Sequence, residues 1–255
     1  MIEFCSLASG SNGNCYYIGN ETDAVLIDGG ISNRRFMDRA ETVGVDTAKI
    51  RALFVSHEHY DHVAGLKSIS HRHNIPVYFS AATYNALSRR KRPQDYKIFD
   101  GMESVKVAPS IEVFPFKKHH DAADPHSFVV RVNGHHIGVI TDIGVVDEVC
   151  AECFSRCDVV FLEMNYDPEM LTTGSYPQYL KDRIKSEIGH LSNSQALELV
   201  NNHASPLLTH IIASHISAEN NSHQIIERML EPYKGRFITE LAPRFAAGMR
   251  YKIES

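Results

Sequence analysis

No stretch of this sequence approaches the ~18 uninterrupted apolar residues that a membrane-spanning helix needs, which argues against a helical span or a membrane partner. The opening residues, Met1-Ile2-Glu3-Phe4-Cys5, carry neither a basic region nor a signal-like apolar segment, so export is not expected. Cysteine is scarce and odd in number, with five in 255 residues. Without an export signal, that favours reduced thiols in the cytoplasm over a disulfide framework. Low-complexity tracts, long linkers and fixed-period repeats are also missing, so residues 1–255 read as one domain. Nor is positive charge in excess: 26 Lys and Arg against 31 Asp and Glu leave a formal charge of −5. That argues against a protein that coats nucleic acid by bulk charge, but not against a nucleic-acid enzyme.

What is present is ample apolar material, 43% of residues, in segments of strand and helix length. Expected strands include Glu3–Ala8, Ala24–Asp28, Ala52–Ser56, Ile111–Phe116, His136–Thr141, Val159–Glu163 and Leu207–Ala213. Expected helices include Asn33–Val43, Ala82–Lys91, Val145–Phe154, Tyr176–Ser186 and Ser194–Asn202. Two runs of strands, each followed by helices, imply an α/β protein with two mixed sheets face to face and helices outside.

One hexapeptide dominates the chemistry. His57-Glu58-His59-Tyr60-Asp61-His62 follows the apolar run Arg51–Val55. In an extended segment His57 and His59 share a side, because side chains repeat with period two. Asp61 and His62 then curl back as the chain turns into a helix. Two neighbouring groups of N and O donors result, which suits two metal ions. Further donors end later apolar strands: His119, His120 and Asp121 after Val113–Phe116, Asp142 after Gly138–Thr141, and His215 after Leu207–Ser214. Strand ends cluster at one edge of a sheet, so these donors can converge. Singly, each is more often a turn residue than a ligand.

The order H-x-H-x-D-H, His, Asp, His resembles the signature of the metallo-β-lactamase superfamily, and Leu26-Ile27-Asp28-Gly29-Gly30 extends the likeness toward the N-terminus. The resemblance implies a four-layer αββα sandwich. Carried over residue by residue, His57, His59 and His120 bind one divalent ion. Asp61, His62 and His215 bind the other, and Asp142 bridges them. His120 is preferred to His119 because the closest subgroup reads H-D-A here. With no cysteine ligand, zinc, manganese and iron all remain open. Further segments are similar to the YycJ (WalJ) group of bacterial proteins: Ala8–Cys15, His120–Pro125, Leu162–Asp167, Gly189–Asn193 and Ser214–Asn221. That likeness implies a dinuclear phosphodiesterase with 5′-to-3′ exonuclease action on DNA, RNA being the alternative substrate; it leaves the oligomeric state open. Gly-His-Leu-Ser-Asn (189–193) also resembles the tRNA 3′-processing nuclease, which gives His190 a role at the leaving group or phosphate. In this reading a metal-bridging hydroxide attacks phosphorus, Asp61 orients it, and His190 protonates the departing oxygen. Asp28 and Glu163 accept hydrogen bonds from ligand histidines; for Asp28 the alternative is an Asp-Gly-Gly turn.

Other features keep two readings each. Ser9, Ser11 and Asn12 lie in a segment that either presents N–H groups to substrate phosphate or simply connects two strands. Arg89-Arg90-Lys91-Arg92 is either a solvated helix end or a nucleic-acid backbone contact. Cys150, Cys153 and Cys157 have the spacing of a buried helical stripe and, less readily, of a metal site. The competing functions on the same fold are a metal-dependent thioesterase or lactonase acting on a small molecule, and a non-catalytic metal-binding regulator.

Overall fold

Alternation along the strands, interrupted at local register shifts, builds the architecture. In β1 (Ile2–Ala8) the side chains of Ile2 and Phe4 join one apolar cluster while Cys5 and Leu7 join another. The same split recurs in β2 (Cys15–Asn20), β3 (Ala24–Ile27) and β4 (Ile50–Phe54), as period-two geometry requires. Both faces of this sheet are therefore buried. It continues through β5 (Val77–Phe79) and β6 (Tyr96–Ile98). The computed structural model describes residues 1–254.

The second sheet comprises β7 (Val105–Ala108), β8 (Ile111–Lys117), β9 (His126–Val132), β10 (His135–Ile140), β11 (Val159–Glu163), β12 (His210–Ser214) and β13 (Ile238–Leu241). The chain then returns to the first sheet with β14 (Tyr251–Ile253), antiparallel to β1. The strand orders are β14-β1-β2-β3-β4-β5-β6 and β13-β12-β11-β10-β9-β8-β7. Phe4, Tyr16 and Phe54 of one sheet meet Phe128, Phe161 and Ile212 of the other in the central core.

Helices cover the outer faces. Phe36 and Ala40 of α1 (Asn33–Val43) cover the first sheet, together with Leu66 and Ile69 from the helix at Leu66–His73. On the second sheet lie Cys150, Cys153 and Phe154 from the helix at Glu148–Phe154, and Leu199 and Val200 from Asn193–His203. Three apolar clusters between four layers give the αββα sandwich expected from the sequence. Among the described residues, no helix is long and apolar enough to cross a membrane.

The element boundaries hold one correction of consequence. The helix expected over Ala82–Lys91 is short, Ala81–Ala86, because Leu87 turns extended. The basic run therefore lies in the following turns and not at a helix end. Arg92 folds back to donate to the carbonyls of Leu87 and Asn85 and stacks on Tyr84.

Candidate metal centre

Strand direction explains why scattered donors meet. β3 and β4 are parallel; β10, β11 and β12 are parallel; and β8 runs the same way as β10, since both are antiparallel to β9. Their C-terminal ends share one edge of the sandwich. Asp28 follows β3, His57 follows β4, His120 follows β8, Asp142 follows β10, Glu163 ends β11 and His215 follows β12. Three of these turn back sharply: Asp28, Asp142 and His215 have φ of 63°, 55° and 52°. Left-handed backbone costs a non-glycine residue ~1–3 kcal/mol and persists where the surroundings demand it, commonly at functional sites.

The donors form overlapping groups whose ligand atoms lie within 4.8 Å of one another. One is His57, His59 and His120; another is Asp61, His62 and His215; His57, His62 and Asp142 form a third. Asp142 stands between them: Oδ2 is 3.2 Å from His62 Nε2, and Oδ1 is 3.4 Å from His215 Nε2 and 3.9 Å from His120 Nε2. His120 is buried beside His57 and His59, whereas His119 is exposed and donates to Asp147 at 3.1 Å.

Four of the imidazoles are held at Nδ1. His62 donates to Asp28 Oδ2 at 2.7 Å, and His57 to Ser56 Oγ at 2.9 Å, while that hydroxyl donates to Asp28 Oδ2 at 2.9 Å. His120 donates to the Gly189 carbonyl at 3.1 Å, and His215 to Glu163 Oε1 at 3.0 Å. This pattern leaves Nε2 of each ring for the centre, as metal-ligating histidines require. Glu163 also accepts from His190 Nδ1 at 2.9 Å, and its other oxygen accepts from the backbone of Ile143 and Leu191. His190 is half-buried, its ring 5.3 Å from those of both His120 and His215.

The polar atoms at the centre are short of partners. His57 Nε2, Asp142 Oδ2 and His215 Nε2 are buried without a hydrogen bond. Such orphans normally cost ~1–3 kcal/mol each, and divalent ions would satisfy all three. In the chain alone, protons serve instead. Burial opposes charge on His215, yet Asp142, Asp61 and Glu163 push it up to about 10. Burial opposes charge on His62 too, but Asp142, Asp28 and Asp61 hold it well above the ordinary histidine range. Against the cost of burial, those two imidazoliums keep Asp142 far below the usual carboxylate range. His57 and His120 go the other way: burial lowers both, the latter to about 4. The donor set fits divalent cations, and no cysteine belongs to any of these groups.

Several contributors escaped the sequence reading. Ser56 ties His57 to Asp28. Asn14 donates to Asp61 Oδ2 at 3.3 Å and lies 3.1 Å from His62 Nε2. Asn165 donates to the His215 carbonyl at 2.8 Å. Lys118 buries its ammonium beside the carboxylates and donates to the Thr141 carbonyl at 2.7 Å. Only Lys118 had a local signal, as a charge just past a strand end and next to the histidines.

Of the residues expected to face substrate, Ser9 is buried, accepts from His215 N at 2.7 Å and bonds Tyr16 Oη at 3.0 Å. Ser11 and Asn12 instead contact Arg244. Lys91 lies over the ring of Tyr60 at 4.4 Å, which brings the basic run to the loop that carries His57, His59, Asp61 and His62. Cys150, Cys153 and Cys157 are free, buried thiols in the apolar cluster under the second sheet.

The sequence matches the Beta-lactamase superfamily domain over residues 23–215. It is 31% identical over 226 residues to exodeoxyribonuclease YycJ of Bacillus anthracis, covering 88% of this chain and 86% of that protein. It is 28% identical over 229 residues to exodeoxyribonuclease WalJ of Streptococcus pneumoniae, covering 88% and 85%. The structure is similar to that of the metallo-β-lactamase fold protein YhfI from Bacillus subtilis, with a TM-score of 0.73 at 13% identity over 99% of this chain and 100% of that one. For the short form of human tRNase Z the TM-score is 0.67 at 14% identity, with the same coverage. At such low identity these two structures bear on the fold alone.

Proposed function

The chain belongs to the metallo-β-lactamase superfamily, and on that premise we propose that it is a metal-dependent phosphodiesterase degrading DNA from its ends, of the 5′-to-3′ exonuclease type. The observation that carries the reading is the convergence of seven donors around buried, partnerless nitrogen and oxygen atoms. The names of the YycJ and WalJ relatives support DNA as the substrate.

His57, His59 and His120 would hold one ion, Asp61, His62 and His215 a second, with Asp142 shared. When bound, such ions supply an acidified water and positive charge facing an anionic phosphate. The protein's residues do the rest. Asp61 Oδ2, steadied by Asn14, accepts a hydrogen bond that orients the attacking water. His190 exchanges a proton with the departing oxygen through Nε2, because Nδ1 is committed to Glu163. Asp28, Ser56 and Glu163 fix the rings so that little reorganisation accompanies the reaction.

End-labelled single- and double-stranded DNA, incubated with the protein and manganese, zinc or iron(II), tests this. Stepwise loss of nucleotides from the 5′ end, abolished by chelator, is the expected result. Cleavage of a thioester or lactone with no action on any DNA would overturn the reading.

A further inference from the structure

Beside His215 lies a cleft of about 430 Å³ that the metal centre does not use, lined by Ser9, Ile216, Ser217, Pro243, Arg244 and Phe245. Its size is within the ordinary range of ligand pockets. Phe245 is 81% exposed, the highest value among the large hydrophobic side chains of the described residues. A single exposed aromatic is ordinary by itself. What distinguishes this one is the rigid support beneath it. Ala242 N donates to the Ala213 carbonyl at 2.8 Å, Gly248 N to the Ser6 carbonyl at 2.8 Å, and Met249 N to Glu240 Oε1 at 2.9 Å. The loop is pinned on both sides, and Phe245 lines the cleft while remaining largely exposed.

Arg244 adds a fixed cation. Its guanidinium donates to Ser11 Oγ at 2.6 Å and to the Ile216 carbonyl at 3.2 Å, and its own carbonyl accepts from Asn12 Nδ2 at 3.2 Å. Among the described residues its guanidinium donates to a carbonyl and a hydroxyl and to no carboxylate, which leaves N–H groups free for an anion. Gly10, at φ +120°, permits this close packing, since a Cβ there would lie 3.2 Å from Arg244 Nη1. Ser11 and Asn12 thus serve to hold an arginine in place.

We infer that this cleft is a nucleotide subsite next to the scissile phosphate, in which Phe245 stacks on a base and Arg244 contacts a backbone phosphate. The inference rests on the phosphodiesterase reading and narrows it to substrates whose terminal base is free to unstack. An aromatic face, a fixed guanidinium and an adjoining cation centre match the base, phosphate and scissile phosphate of a single strand. A duplex end must fray to enter.

The test uses 5′-phosphorylated single-stranded DNA, with a normal base or an abasic residue beside the scissile phosphate. Phe245→Ala should raise KM on normal DNA by about 5- to 100-fold, from the usual worth of one stacked base, with metal content unchanged, and Phe245→Tyr should restore it. The abasic strand should cost the wild type a similar factor and cost Phe245→Ala almost nothing further. A wild-type KM in Phe245→Ala, or an abasic penalty of full size in that variant, would overturn the subsite while leaving the nuclease reading intact. Failure of the wild type to degrade any DNA would remove the nuclease reading and the subsite with it.

Discussion

Replacing Glu163 with Gln turns one oxygen into an NH2 group at nearly constant volume, in a position where all four hydrogen bonds are accepted. Oε1 takes His190 Nδ1 at 2.9 Å and His215 Nδ1 at 3.0 Å; Oε2 takes Ile143 N at 2.9 Å and Leu191 N at 3.1 Å. The amide must point its NH2 at one pair. Toward the backbone, two buried N–H groups lose their acceptor, at ~1–3 kcal/mol each, or ~2–6 kcal/mol together. Toward the imidazoles, the NH2 can donate to both rings, provided each moves its proton from Nδ1 to Nε2. The second arrangement is the cheaper for folding, but it puts a hydrogen on His215 Nε2, the atom that would face a metal in the proposed site. The expected variant is therefore folded and poor at binding metal, with affinity reduced about 10- to 100-fold, equivalent to ~1.4–2.8 kcal/mol. Competition with a chelator at neutral pH measures the affinity, and a thermal melt checks the fold. Unchanged metal affinity in a folded Glu163→Gln protein would refute the argument that this carboxylate sets the tautomer.

Other expectations follow from the same geometry. His215 is raised to about 10 against burial by Asp142, Asp61 and Glu163, so in metal-free protein its stabilisation is complete below ~6.5 and lost as pH climbs through about 10. Asp142 is depressed by His215 and His62 despite burial, so its contribution holds above the ordinary carboxylate range and disappears on acidification. Melting temperature of the metal-free protein should accordingly peak in mildly acidic buffer, and saturating metal should abolish the alkaline decline; a decline that persists with metal contradicts the assignment. Asp142→Asn should lose bound metal, read by elemental analysis, and at least about 100-fold in activity. His190→Ala should keep its metal and slow turnover by about 10²- to 10⁴-fold in single-turnover assays. Reversing charge at the exposed Arg89 and Arg90, leaving Arg92 on the carbonyls of Leu87 and Asn85, should weaken DNA binding and flatten its salt dependence; an unchanged salt slope would assign the run to solubility.

Legibility in the sequence tracked the length and burial of each element. α1 spans Asn33–Val43 and β11 spans Val159–Glu163, as expected from apolar spacing over whole turns or a fully buried run. Strands Tyr96–Ile98 and Tyr251–Ile253 gave no such signal, because each is three residues long at a sheet edge. The helix Pro168–Thr173 has a start signal, with Asp167 capping it and Pro168 in its first turn, but only Leu171 of its side chains is buried, so no apolar face announces it. The candidate ligands were readable because His and Asp after strands carry their chemistry in their identity. Their supports were not. Nothing local distinguishes Asn165, 50 residues from His215, or Ser56 from any other hydroxyl after a strand. Arg244 reaches Ser11 across 233 positions, a contact created only when β14 returns the chain to β1.

The most direct test of the account is a titration of metal-depleted protein with manganese or zinc while DNA hydrolysis is followed. The metal-free chain should be inactive, and the rate should climb until two equivalents per chain are bound. A metal-free protein that already works at full rate would contradict the hydrolytic role of the centre, and saturation at one equivalent would contradict the paired-ion arrangement around Asp142.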